Sequence, residues 1–341
     1  MTEAAHRTPV VRLAPAKLNL TLAVVGRRDD GFHDLHSVFV PLGLHDVLTV
    51  APLGTSGDDT LHVTGLDPGP VDANLVPRAI AAARDAIGNG PGVPPTPPLA
   101  ARLEKRIPVA AGLGGGSSDA ASAFAGALEA WGAEDRVDPE RRRTIAAGMG
   151  SDVPFFLTAM PALVEGRGDR VTVLAGVHGH PGVLLVTPQV AVRTPDVFAV
   201  FDGARAGAPG DGSVRMTSAH LAQELGNGLS ATDLVARAGV LASANDLLPA
   251  AALVAPGLVH VRRALTRLLG RPIGLSGSGP TLWTLYPSQG EAEAAALAVA
   301  TAVEEGTVPT IGAGPPSIIA TTIRTGHDPG TPPGTSEGEA T

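Results

Sequence analysis

The sequence predicts an α+β fold in two domains, and three observations carry that prediction. At 341 residues the chain is long for one hydrophobic core and fits two. Its apolar pattern changes character after Glu165-Gly166-Arg167-Gly168. Beyond that point the elements run roughly β-α-(α)-β-β-α-β, a ferredoxin-like order. The division expected is a flexible N-terminus over residues 1–9, a first domain over 10–170, a second over 171–325, and a disordered tail over 326–341 that lacks periodicity.

The elements follow in order. Leu18, Leu20 and Leu22 alternate with Asn19 and Thr21, as in a half-buried strand, with Pro15 ahead and Lys17 at its entrance. The turn Asp29-Asp30-Gly31 leads through Phe32 and His33 to strands near Ser37–Val40 and Val47–Val50, and a short one follows at Thr60–Thr64. Asp72 to Asn74 offers cap chemistry for a helix from Leu75 to about Ile87. The proline- and glycine-rich Gly88–Pro98 reads as a surface loop, and Leu99–Ile107 as a strand. A helix from about Ser117 to Trp131 carries Phe124, Leu128 and Trp131 as one stripe, and Asp138-Pro139-Glu140 opens another that ends near Gly150. In the second half Val183–Val186 is a strand, Thr194-Pro195 opens a short helix containing Phe198, and 203–215 is a loop. Helical segments are expected at 218–224, 231–241 and 256–269. Strands at Ile273–Leu275 and Thr281–Tyr286 flank a glycine turn. Ser288 and Glu291 form a capping box for a helix reaching Glu305, before a last strand at Pro316–Arg324.

Composition narrows the function. Hydrophobic content of 44% is ordinary for a soluble globular chain, while aromatics at 3% leave Ala, Val and Leu to build the cores. A net charge of −8 argues against a nucleic-acid partner. The absence of cysteine excludes disulfides and thiolate metal sites. The opening MTEAAHRTPV has no signal-peptide pattern and no run of about 18 apolar residues occurs, so cytoplasmic residence without membrane association is expected. Of 25 basic residues only Lys17 and Lys105 are lysines, which marks both as places where a compact ammonium is needed.

The segment Pro108-Val109-Ala110-Ala111-Gly112-Leu113-Gly114-Gly115-Gly116-Ser117-Ser118 runs straight into an alanine-rich helix. Glycine lets a ligand approach the backbone, and a helix start presents unpaired N–H groups and the positive end of its dipole. That combination suits a phosphate. The loop lacks the Gly-Lys-Ser/Thr of a P-loop, and Ser117 stands where a dinucleotide fingerprint needs its third glycine. Ser276 is flanked wrongly for a nucleophile elbow, and no metal-ligand spacing appears among the histidines.

Three separated segments, PAKLNL at 15–20, PVAAGLGGGSSDAA at 108–121 and LSGSGPTLW at 275–283, together resemble the GHMP kinase superfamily. The resemblance covers roughly residues 10–325. It implies an N-terminal ribosomal-protein-S5-like domain, a C-terminal ferredoxin-like domain, and transfer of the γ-phosphate of ATP to a small metabolite, with Mg2+ expected. Three further matches, Arg28–His33, Gly150–Phe156 and Ala73–Val76, resemble the branch that phosphorylates the 2-hydroxyl of a cytidine diphosphate-linked methylerythritol in non-mevalonate isoprenoid synthesis. A monomer or homodimer is expected.

The resemblance also assigns roles. Asp152 is implied as the general base, and Lys17 as the cation that keeps it ionised and offsets charge on the transferred phosphoryl group. Pro108 to Ser118 would hold the triphosphate, and Asn74 matches a position near the adenine. Asn19 would orient the substrate, Phe32 would stack on the cytosine, His33 would read its edge, and Phe198 would form the opposite face. Metal ligands are not assigned. Each residue also has a plainer reading: Asp152 or Asn74 as a cap, Lys17 as a surface lysine, Phe198 as core, Ser276–Gly279 as a hairpin turn. Two other functions stay open, another kinase of the superfamily acting on homoserine or mevalonate, and a nucleotide-binding protein without catalysis.

Overall fold

The computed structural model describes residues 8–54, 57–67, 74–88, 92–93, 96–204 and 212–325. The expected tail at 326–341, most of the N-terminal segment, Asp72 and Ala73 of the cap, and parts of the loops at 88–98 and 203–215 lie outside them.

The first half supplies strands β1 (Val10–Asn19), β2 (Ala23–Arg27), β3 (His33–Pro52), β4 (Thr60–Gly65), β5 (Leu99–Lys105), β6 (Ala162–Gly166) and β7 (Arg170–Val173). Its helices are α1 (Leu75–Ile87), α2 (Gly115–Trp131), α3 (Pro139–Met149) and the single turn α4 (Val153–Phe156). β3 is the spine. β1 and β2 pair along one edge of it, and β5 and β6 along the other, all antiparallel. Two separate strands were expected here, because Pro41 and Gly43 interrupt the alternation of apolar residues. Pairing on both edges carries the strand across them.

Helices α1 and α2 pack over this sheet around Phe39, Ile80, Leu103, Phe124 and Trp131. The alanines of α2 let it sit close to several neighbours at once, which compensates for a chain poor in aromatics. The helix begins at Gly115, two residues before the expected Ser117, because Gly114 takes the left-handed conformation that turns the chain into it. The hairpin of β6 and β7 was not expected at all; Gly166 and Gly168 read as a break in pattern, whereas Gly166 ends β6 and Gly168 sits in the turn after it.

The second half contributes β8 (Val177–His178), β9 (Gly182–Thr187), β10 (Leu229–Ser230), β11 (Gly274–Leu275), β12 (Leu282–Tyr286) and β13 (Ser317–Thr322). Its helices are α5 (Thr194–Ala204), α6 (Ser213–Gly226), α7 (Ala231–Ala236), α8 (Ala238–Leu241), α9 (Leu248–Val254), α10 (Gly257–Leu269) and α11 (Gln289–Glu304). The four-stranded sheet has the order β11-β12-β9-β13, antiparallel throughout. Helix α9 falls in a stretch that carried no expectation.

A third core cluster joins the halves: Leu18, Leu20 and Val40 of the first sheet meet Leu185, Trp283 and Leu285 of the second. This seam corrects the half-buried reading of β1. Asn19 and Thr21 are buried too: Asn19 bonds to Lys17 and Ser37, and beyond the strand end Thr21 Oγ1 donates to Ser218 Oγ of the second half at 2.8 Å. No helix among the described residues is long and apolar enough to cross a membrane.

Candidate active site

The site lies where the end of β1, the glycine loop, the Ser151–Asp152 turn and the 276–280 turn converge. Lys17 is not a surface lysine; its residue is 4% exposed. Its Nζ donates to Asn19 Oδ1 at 2.6 Å and lies 3.4 Å from Asp152 Oδ2 and 4.7 Å from the centre of the Phe39 ring. Asn19 in turn donates from Nδ2 to Ser37 Oγ at 3.1 Å, and Ser37 donates to the carbonyl of Thr21. The ammonium is thus aimed by a buried relay that crosses from β1 to β3. Asp152 stands at the entry of α4, yet its carboxylate makes no capping bond there. With a side chain 30% exposed it keeps access to the cavity, which a spent cap would not.

The glycine loop is held by its backbone. Lys17 N–H donates to Leu113 O at 2.9 Å, and Ser276 Oγ donates to Gly112 O at 3.0 Å, so the turn of the second half closes directly on the loop. Gly112 and Gly114 both have positive φ, at 76° and 72°. A Cβ on Gly112 would sit 2.4 Å from Ser276 O, and one on Gly114 2.9 Å from the Lys17 Cγ and the Phe156 ring. Asn245, which carried no expectation, holds the turn from behind by donating to Leu275 O at 3.0 Å and Gly277 O at 2.9 Å.

Two cavities meet at Gly112 and Gly114. The larger, about 730 Å³, is lined by Lys17, Asn19, Phe32, His33, Asp152 and Phe198, together with Arg167 and Asp202. The smaller, about 320 Å³, is lined by Asn74, Pro108–Gly112, Gly114–Ser117, Lys105 and Asp119. Leu113 and Ser118 line neither. Leu113 belongs to the third core cluster, and Ser118 Oγ is buried and, among the described residues, without a hydrogen-bond partner. Asn74 Oδ1 accepts from Val76 N at 2.9 Å, so this residue caps α1 while bordering the smaller cavity.

Beneath the loop lies a charged cluster that sequence reasoning noticed only through the rarity of lysine. Lys105 Nζ pairs with Asp46 and, at 2.7 Å, with Asp119 Oδ2 on α2. Asp46 Oδ1 also accepts the Ile107 N–H at 2.9 Å, so one buried carboxylate fixes the start of the loop while the lysine fixes the helix after it. One ammonium cannot neutralise two buried carboxylates. Burial first, and then the charge on Asp46, push the Asp119 carboxyl up to about 7 against the opposing pull of Lys105. The same two carboxylates overcome burial at Lys105 and hold its ammonium above the usual lysine range.

At the far end of the larger cavity, the β2–β3 turn is braced by Arg28, whose Nη1 reaches Asp34 at 3.1 Å and whose Nε reaches Asp30 at 3.0 Å. Phe32 is half exposed, with the Arg167 guanidinium 5.7 Å from its ring centre. Phe198, expected as the face opposite Phe32 of the cytosine sandwich, lines the same cavity, and its ring is stacked on His33, at 4.4 Å and 19°. The helix α5 that carries it packs against the start of β3, which brings the two rings together.

Such a site on such a fold belongs to a class. Residues 74–159, which contain Asn74, the glycine loop and Asp152, match the GHMP kinases N terminal domain. The chain is 37% identical over 299 residues to 4-diphosphocytidyl-2-C-methyl-D-erythritol kinase of Deinococcus radiodurans, which covers 86% of this chain and 90% of that one. A crystal structure of 4-(cytidine 5'-diphospho)-2C-methyl-D-erythritol kinase superposes with a TM-score of 0.65 at 30% identity, covering 92% of this chain and 100% of the other. The chain belongs to the 4-diphosphocytidyl-2-C-methyl-D-erythritol kinase family. Homoserine kinase from Cytophaga hutchinsonii shares the fold alone, with a TM-score of 0.64 at 16% identity, covering 95% of this chain and 98% of that one.

Proposed function

We propose that this chain transfers the γ-phosphate of ATP to the 2-hydroxyl of 4-diphosphocytidyl-2-C-methyl-D-erythritol, giving the 2-phosphate and ADP. The observation that carries the chemistry is the contact of Lys17 with Asp152 at 3.4 Å, on the side of the glycine loop where the two cavities meet. Asp152 takes the proton of the 2-hydroxyl as its oxygen bonds to the γ-phosphorus. The bond from that phosphorus to the bridging oxygen of ADP breaks as the new one forms. Lys17 lies beside that carboxylate and faces the charge that gathers on the phosphoryl group.

ATP lies along the smaller cavity, its phosphates against the backbone of Pro108–Ser117 at the start of α2 and its adenine toward Asn74. The residues present fit a magnesium ion carried with the nucleotide. Among the described residues Asp119 Oδ1, on the lining of the smaller cavity, is a buried oxygen without a partner, and a hard cation with reluctant dehydration needs few protein ligands beside phosphate. When bound, the ion supplies charge neutralisation between the phosphates.

The cytidine end occupies the larger cavity between Phe32, His33 and Phe198, with Asn19 near the reacting alcohol. The two-domain division is read from the two larger sheets, an S5-like first domain and a ferredoxin-like second, with the boundary after β7 (Arg170–Val173) rather than at 170; the strand order β11-β12-β9-β13 supports the second assignment. ATP consumption with the cytidylylated methylerythritol, compared with homoserine and mevalonate, tests the substrate. Turnover with the first alone is expected, and turnover with either of the others alone overturns the reading.

A further inference from the structure

One helix immobilises His33 from three directions. Phe198, Phe201 and Asp202 lie at i, i+3 and i+4 on α5, and so share a face. Phe198 covers the imidazole face at 4.4 Å, Phe201 meets its edge at 6.3 Å and 83°, and Asp202 Oδ1 lies 2.7 Å from Nε2. The other oxygen of Asp202 lies 3.7 Å from Nη1 of Arg27, which is the direct cross-strand partner of His33 in the β2–β3 ladder. The carboxylate therefore bridges two neighbours on the rim of the larger cavity.

An ionised carboxylate only accepts, so in the neutral ring the proton sits on Nε2 and Nδ1 is left as a bare acceptor. Among the described residues Nδ1 has no partner, so it is the one polar side-chain atom that His33 can still offer a ligand. A bare acceptor distinguishes the two common pyrimidines: cytosine presents an amino donor at C4, whereas uracil presents an oxo acceptor there. We propose that Asp202 is a positioning residue that sets the base specificity of the substrate cavity, by holding His33 in the tautomer that accepts from an aminopyrimidine and repels its oxo counterpart.

This rests on the substrate reading above, and two measurements separate the failures. In the first, the imidazole 15N spectrum of the nucleotide-free wild type is recorded, with the His33 signal identified by its loss in His33→Gln. A protonated Nε2 with an unprotonated Nδ1 is expected, and a protonated Nδ1 in the neutral ring overturns the proposal whatever the substrate proves to be. In the second, kcat/KM is compared for the cytidine substrate and its uridine analogue in wild type and Asp202→Asn. The amide can donate or accept, so either tautomer becomes available. The preference for cytidine should fall by about tenfold or more, largely through a gain on the uridine analogue, while KM for ATP stays unchanged. An unchanged preference in the active variant contradicts the proposal.

Discussion

Lys17 Nζ lies 3.4 Å from Asp152 Oδ2, and the backbone N–H of the same lysine bonds to Leu113 of the glycine loop. One residue thus ties the carboxylate to the loop. Removing its charge in Lys17→Met should lower turnover by roughly 10²- to 10³-fold, with ATP affinity much less affected. Lys17→Arg should not restore it, because Gly114, Asn19 and the Phe39 ring leave space for a compact ammonium rather than a planar fork. Steady-state rates beside a nucleotide titration check both statements.

Gly112 faces a different constraint. Its φ is 76°, and an added Cβ would meet Ser276 O at 2.4 Å. Gly112→Ala should therefore destabilise the protein by roughly 1–3 kcal/mol and raise KM for ATP, since the strained turn is the one that borders both cavities. A thermal melt and an ATP saturation curve measure the two effects.

Phe32 is half exposed and packs little of the core, so its loss should act on binding and not on folding. In Phe32→Ala the affinity for the cytidine substrate should weaken by roughly 1–3 kcal/mol. Stability should stay within about 0.5 kcal/mol of the parent. Calorimetric titration and a melt on the same sample separate the two.

Asp119 makes stability depend on pH in a stated direction. Burial raises its carboxyl to about 7 in the folded protein, from 3.8. The folded state therefore binds the extra proton between those values, and stability from this group is full below about 4 and is lost as pH rises through about 7. Asp119→Asn removes the titration. The stability difference, variant minus parent, should grow in favour of the variant from pH 4 to pH 7 and then level off, as followed by melts across that range in nucleotide-free protein.

Much of this was legible in the residues. The bounds of α1, the cap at Asp138 and the capping residue Ser288 follow from local chemistry that needs no distant partner. The rarity of lysine pointed to Lys17 and Lys105, and both are buried, ion-paired and in contact with the glycine loop or the helix after it. What stayed hidden depends on long-range contact. β3 is continuous only because four strands pair with it. Asn245 and Asp202 matter through partners far along the chain, at Gly277 and His33, which no local pattern announces. The stacking of Phe198 on His33 is likewise a product of how α5 packs.

The most direct test of the central claim is Asp152→Ala, assayed for both ATP binding and phosphate transfer to the cytidine substrate. The account predicts ATP bound about as tightly as in the parent, with turnover lower by on the order of 10²-fold or more. Turnover equal to the parent's would remove Asp152, and with it the Lys17 pairing, from the chemistry.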